Sequence, residues 1–114
     1  MRHLIQTTAL CLALATPASA DVVYEGRDAQ GLHCAAMLGI VAGALHHLDA
    51  MPDSLYQQSV MAASQILAKL PGTDAEKKQA LRQRGHRIID TRTPEQLVAE
   101  FEKIGGWCTR EFLG

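Results

Sequence analysis

The sequence predicts an all-α domain, a small bundle of about four helices stapled by one disulfide. Three observations lead there. An uncharged run from Cys34 to Leu45 holds only apolar residues and glycine. Helix-capping signals recur downstream of it. Cys34 and Cys108 stand near opposite ends of the chain that remains beyond a leader-like N-terminus. No useful length of sequence alternates with the two-residue period of a half-buried strand, and neither an internal repeat nor a low-complexity segment is visible.

Residues 1–20 read as a secretory leader. Arg2 and His3 form a basic start, Leu4 to Ala15 an apolar segment, and Ala18-Ser19-Ala20 a small-residue cleavage site, so cleavage is expected after Ala20. Cys11 lies inside the apolar segment behind Leu10, which does not fit a lipid attachment site. No later uncharged run is long enough for a membrane anchor, since twelve apolar residues fall short of a bilayer. The expected setting is a bacterial periplasm. The remaining 94 residues suit one domain. Loss of Arg2 lowers Lys and Arg from 11 to 10 against 12 Asp and Glu, a formal charge of −2. That balance does not supply the phosphate neutralisation on which nucleic-acid binding depends.

In an oxidising compartment an even pair of cysteines, Cys34 and Cys108, forms a disulfide. Closing a loop of some seventy residues stabilises the fold by an amount on the order of 4 kcal/mol in the chain-entropy model. A two-thiolate metal site or an intermolecular bond are the alternatives. No C-x-x-C or C-x-x-C-H occurs, which excludes covalent c-type haem, and no cofactor is expected.

Along the chain, Val22, Val23 and Tyr24 belong to an extended lead-in, and Asp28 is the expected cap of the first helix, with Gln30 or Gly31 in its first turn. That helix should end near Met51, because Pro52 disfavours helical geometry in the residue before it. Gly31, Ala35, Gly39 and Gly43 form a four-residue repeat, a stripe of small side chains that admits a close helical neighbour. Each internal glycine weakens a helix by roughly 1 kcal/mol. Asp53 and Ser54 offer a cap for a second helix over Leu55 to Leu70, whose seam is Tyr56, Val60, Ala63, Leu67 and Leu70, flanked by Met61 and Ile66.

Pro71-Gly72 closes it. Thr73 with Glu76 makes a capping box for a third helix, Asp74 to Ile89, with Ala80, Leu81, Ile88 and Ile89 inward and Gly85 among them. Thr93, Pro94 and Gln96 start a fourth, with Leu97, Phe101, Ile104 and Cys108 on one face. Gly105-Gly106 is expected to interrupt it, leaving Trp107 to Leu113 as a separate short helix.

His46, His47 and Asp49 are the candidate metal ligands, since imidazole and carboxylate suit first-row ions. Adjacent histidines diverge on a helix, so at most two ligands come from this turn, and His33 or His86 must join from elsewhere. The competing reading is a polar helix end where imidazoles meet free carbonyls. Met37, Met51 and Met61 read as core filling rather than copper ligands. Lys77 to Arg92 carries six basic residues, and Arg82, Arg84 and Arg87 are the candidate anion or partner surface. Its competing reading is a solvated face answered by Glu95, Glu100 and Glu102 of the last helix. No catalytic motif is present and the cysteines are expected to be oxidised, so an enzyme is not expected. Trp107 and Phe112 read as cover for the core.

With HCAAMLGIVAG near its start and GGWCTREFLG near its end, the mature chain resembles small exported two-cysteine helical proteins of bacteria that have no assigned function. The resemblance implies a disulfide-held helical domain and carries no functional residue over. In general build the chain is also similar to periplasmic acid-stress chaperones and to periplasmic immunity proteins. The expected function is a non-enzymatic periplasmic interaction module that binds another protein or itself. The competing functions are a small-ligand or metal carrier, using His46, His47 and Asp49 or a cavity beside Gly39 and Gly43, and an acid-stress protein whose histidines titrate.

Overall fold

The computed structural model describes residues 23–114. The expected leader, its cleavage site and Cys11 lie outside these residues, as does Val22 of the lead-in. Four helices are present among the described residues, with no strand. We call them α1 (Gly26–His47), α2 (Asp53–Ala68), α3 (Asp74–Asp90) and α4 (Pro94–Leu113).

α1 is the hub. Its side chains from Cys34 to Leu38, with Val41, Ala42 and Leu45, are at most 3% exposed. A helix apolar on all sides has to be covered on all sides. α2, α3 and α4 each pack on it, whereas α3 and α4 make little or no direct contact with each other. Burying Met37, Leu45, Ile66 and Ile88 contributes roughly 1.5–3 kcal/mol for each side chain. By length and mean hydropathy, 22 residues and 1.2, α1 also meets the measure of a membrane span, which the twelve-residue uncharged run alone does not; 56% of its apolar window is buried in the bundle.

The middle of α1, Ala36–Val41, is a π-helical segment. Its wider turn offsets the forward drift that a four-residue repeat accumulates on a helix of 3.6 residues per turn. The glycine stripe therefore stays on the side that meets α2. A Cβ built on Gly31 would lie 3.2 Å from Leu70, one on Gly39 3.3 Å from Ala63, and one on Gly43 3.8 Å from Tyr56. Leu70, Ala63 and Tyr56 descend in steps of seven, so α2 and the turn after it run antiparallel along the stripe. The small residues serve packing within the chain.

α2 is shifted two residues from the expected Leu55 to Leu70, with Pro52 in the cap position and Asp53 inside the first turn; three further differences each have a tertiary reason. α1 starts at Gly26, a turn early, with Asp28 inside the first turn and Glu25 in the cap position. Arg27 holds this turn in place by donating to Glu111 Oε1 at 2.7 Å and to its carbonyl at 2.8 Å, with the guanidinium 4.6 Å over the Phe112 ring. At the other end α1 stops at His47, not Met51. Asp49 turns left-handed (φ 58°), its N–H donating to His46 O at 3.1 Å while that of Ala50 reaches Leu45 O at 2.8 Å. These two bonds are a Schellman stop.

α4 runs unbroken through Gly105-Gly106. Cys108 is disulfide-bonded to Cys34 with Cα atoms 5.6 Å apart, Thr109 Oγ1 donates to Gly105 O at 3.1 Å, and Lys69 Nζ donates to Phe112 O at 2.7 Å. These fastenings lie at the glycine pair and beyond it. Both threonine capping boxes form as the spacing predicts, Thr73 with Glu76 and Thr93 with Gln96.

α3 reaches the π segment by giving up a side chain. A Cβ on Gly85 would stand 2.6 to 2.9 Å from three carbons of Ile40, a stiff β-branched residue. Gly85→Ala should therefore destabilise the fold by about 1–2 kcal/mol, overpacking outweighing the gain in helix propensity. Urea unfolding reads this, and the penalty should shrink in an Ile40→Ala background, which removes two of the three contacts.

Candidate functional site

A groove of about 460 Å³ with apolar walls lies between α2 and α4. α2 contributes Leu55, Gln58, Ser59 and Ala62, residues that share one helical face. α4 contributes Phe101, Glu102, Gly105, Gly106 and Thr109, and Leu38 of the π segment forms the floor. The glycine pair hollows the wall. Sequence alone reads it as a break, because glycine signals both an interrupted helix and a close approach, and only the fastening of Cys108 and Phe112 decides between them. Ser59 is 4% exposed and sets one hydroxyl among apolar neighbours, while Leu55 is 40% exposed at the rim.

A smaller hollow of about 250 Å³ lies beside Gly39, walled by Ile40, Tyr56, Leu67 and Leu81. Gly43 does not line it. This is smaller than the usual 300–1,000 Å³ of small-molecule sites.

The three candidate metal ligands take separate tasks. The His46 ring stacks on Tyr56, with centroids 4.3 Å apart, and its Nε2 bonds Asp53 Oδ1. This ties the C-terminal end of α1 to the first residue of α2, where an imidazole and a carboxylate each complement the local helix dipole. His47 is exposed. Asp49 is the left-handed residue of the helix stop. Among the described residues no group of three or more His, Cys, Asp or Glu side chains is placed to hold a metal ion.

Glu100 on α4 joins two other elements. His33 Nε2 of α1 lies 3.1 Å from its Oε2, and Arg92 Nε donates to its Oε1 at 2.5 Å from the α3–α4 turn. Burial alone would raise the Glu100 carboxyl pKa, but the hydrogen bonds and positive charge of Arg92 and His33 outweigh it and hold the carboxyl below its ordinary value of 4.5. Tyr24 is pushed the other way, upward, by burial and then by Glu76 and Asp28, and its hydroxyl donates to Pro71 O at 2.7 Å.

The acidic answer expected for the basic stretch forms only at its end, where Glu100 pairs with Arg92. Glu100 is taken by Arg92 and His33, and α4 does not pack along α3. Among the described residues, Arg82, Arg84 and Arg87 make no ion pair. Compared with family models, with curated proteins and with solved structures, the chain matches none.

A carboxylate whose pKa is lowered by folding contributes stability above its unfolded pKa, and that contribution is lost as pH falls through the lowered folded value. Glu100→Gln should therefore cost about 1–2 kcal/mol at pH 7 and less at pH 2, as acid protonates the carboxyl. Paired urea melts at the two pH values measure the difference.

Proposed function

We propose that this chain is an exported, non-enzymatic helical interaction module of the periplasm, and that it receives an apolar helix of another protein, or of a second copy, in the α2/α4 groove. The groove itself carries the reading. Its walls offer apolar contacts at helical spacing on α2 and a side-chain-free stretch on α4, the combination that seats an amphipathic helix closely. It opens at the surface instead of enclosing its contents, which suits a helix better than a small molecule. Leu55, a large apolar side chain left 40% exposed at the rim, adds contact area beyond what the bundle buries. Export rests on the leader-like features of residues 1–20, and the non-enzymatic reading on the absence of a recognisable catalytic motif in the sequence.

A photoreactive residue at Gln58, in the full chain expressed in its own host, should give one discrete adduct that Leu55→Glu abolishes and a photoreactive residue at Gln83 on α3 does not give. The adduct's mass separates a different protein from a second copy. No adduct from position 58, or one indifferent to Leu55→Glu, would contradict the reading.

A further inference from the structure

The α2/α4 groove presents two polar features that the bundle leaves unanswered. Ser59 is 4% exposed and lines the groove, yet its hydroxyl makes no hydrogen bond among the described residues. No fully buried side-chain oxygen or nitrogen among them lacks a partner, so this hydroxyl is open to the groove. Whatever fills the groove takes it from water and must supply a hydrogen bond in return. Glu102 and Arg110 are the second feature. Both are exposed on α4, and among the described residues neither makes an ion pair.

The charges offered to an occupant are few and ordered. α2 carries none from Ser54 to Ala68, so α4 alone sets the electrostatics of the groove. Glu102, Gly106 and Arg110 follow one another at four-residue steps, acid before base, with about 12 Å of helix between the two charges. Side chains of one helix pair at three or four residues, not eight, so these two do not answer each other. The Arg110 guanidinium lies back over Gly106, its Nη1 3.2 Å from where a Cβ would stand. A second α4 laid antiparallel across the first at Gly106 supplies the reverse order. Glycine then meets glycine, and each Glu102 faces the other copy's Arg110. A parallel arrangement sets acid on acid and base on base.

We infer that the occupant of the groove is α4 of a second copy of this chain, the two α4 helices crossing antiparallel at Gly106 about a twofold axis. Two Glu102–Arg110 ion pairs then form between the copies, and each Ser59 offers its hydroxyl to the incoming helix. A twofold contact of this kind is self-complementary, every interaction occurring twice. Exposed ion pairs add little affinity but fix register and orientation, while Leu55 at the rim supplies apolar contact. The inference rests on the groove reading above and narrows its occupant to this chain.

The test is sedimentation equilibrium of the protein purified from its own host without reductant, as wild type, L55E, E102R and R110E. The wild type should be dimeric at about 100 µM, and each variant alone should associate at least about tenfold more weakly. An equal mixture of E102R and R110E should regain wild-type association, because every acid in the mixed dimer again faces a base; that recovery also shows both variants to be folded. A wild type that stays monomeric overturns the inference and leaves the groove to a foreign helix, which the adduct from position 58 detects independently. A dimer that L55E leaves intact lies outside the groove and also overturns it. Charge variants as tight as wild type, or a mixture no tighter than its components, overturn it by showing that Glu102 and Arg110 do not meet between copies.

Discussion

The cost of leaving α1 uncovered organises this protein. A helix whose side chains are apolar around its whole circumference from Cys34 to Leu45 has no face to offer water. In a chain this small, few residues are available to cover it. The other three helices are each laid against it, and little of their surface is spent on one another. The disulfide from Cys34 to Cys108 fastens the last helix to the first where that coverage matters most, with both cysteines at most 1% exposed. Constraining a loop of this length removes unfolded-state entropy that a small core would otherwise have to offset.

The close approach of the helices follows from small residues at the contact points. The glycine stripe of α1 admits α2, Gly85 admits Ile40, and the π segment keeps the stripe aligned. Because α3 and α4 reach α1 without packing on each other, their outer faces stay distinct. One is basic and unanswered. The other forms, with α2, an apolar groove floored by Leu38 of the same π segment. The proposed functional surface is thus a by-product of how one helix is covered.

Much of this is legible in the sequence, because it rests on local rules. Both threonine capping boxes, the helix count and the pairing of Cys34 with Cys108 need only spacing and residue type. The features that sequence does not reveal depend on distant partners. The early start of α1 needs Arg27 to meet Glu111 and Phe112 across the bundle. Continuity of α4 through Gly105-Gly106 needs the fastening of Cys108 and Phe112 beyond it. The stop at Asp49 reflects a non-glycine residue taking a left-handed conformation, which aspartate tolerates better than most. At the candidate sites, residue type alone does not say which neighbours a side chain meets. His46 turns to Asp53 and Tyr56 instead of His47 and Asp49, and the acids of α4 do not reach α3. The groove stays hidden in the sequence because a glycine pair inside a helix reads equally well as a break.

The most direct test of α1 as the element on which everything rests is native-state hydrogen exchange. If the bundle exists to cover α1, the amides of Met37, Leu38 and Val41 should exchange only through global unfolding, with a free energy equal to that from urea melts, while α3 opens at lower cost. Exchange of those three amides at a free energy below that of α3 would show that α1 comes apart first, and would contradict the account.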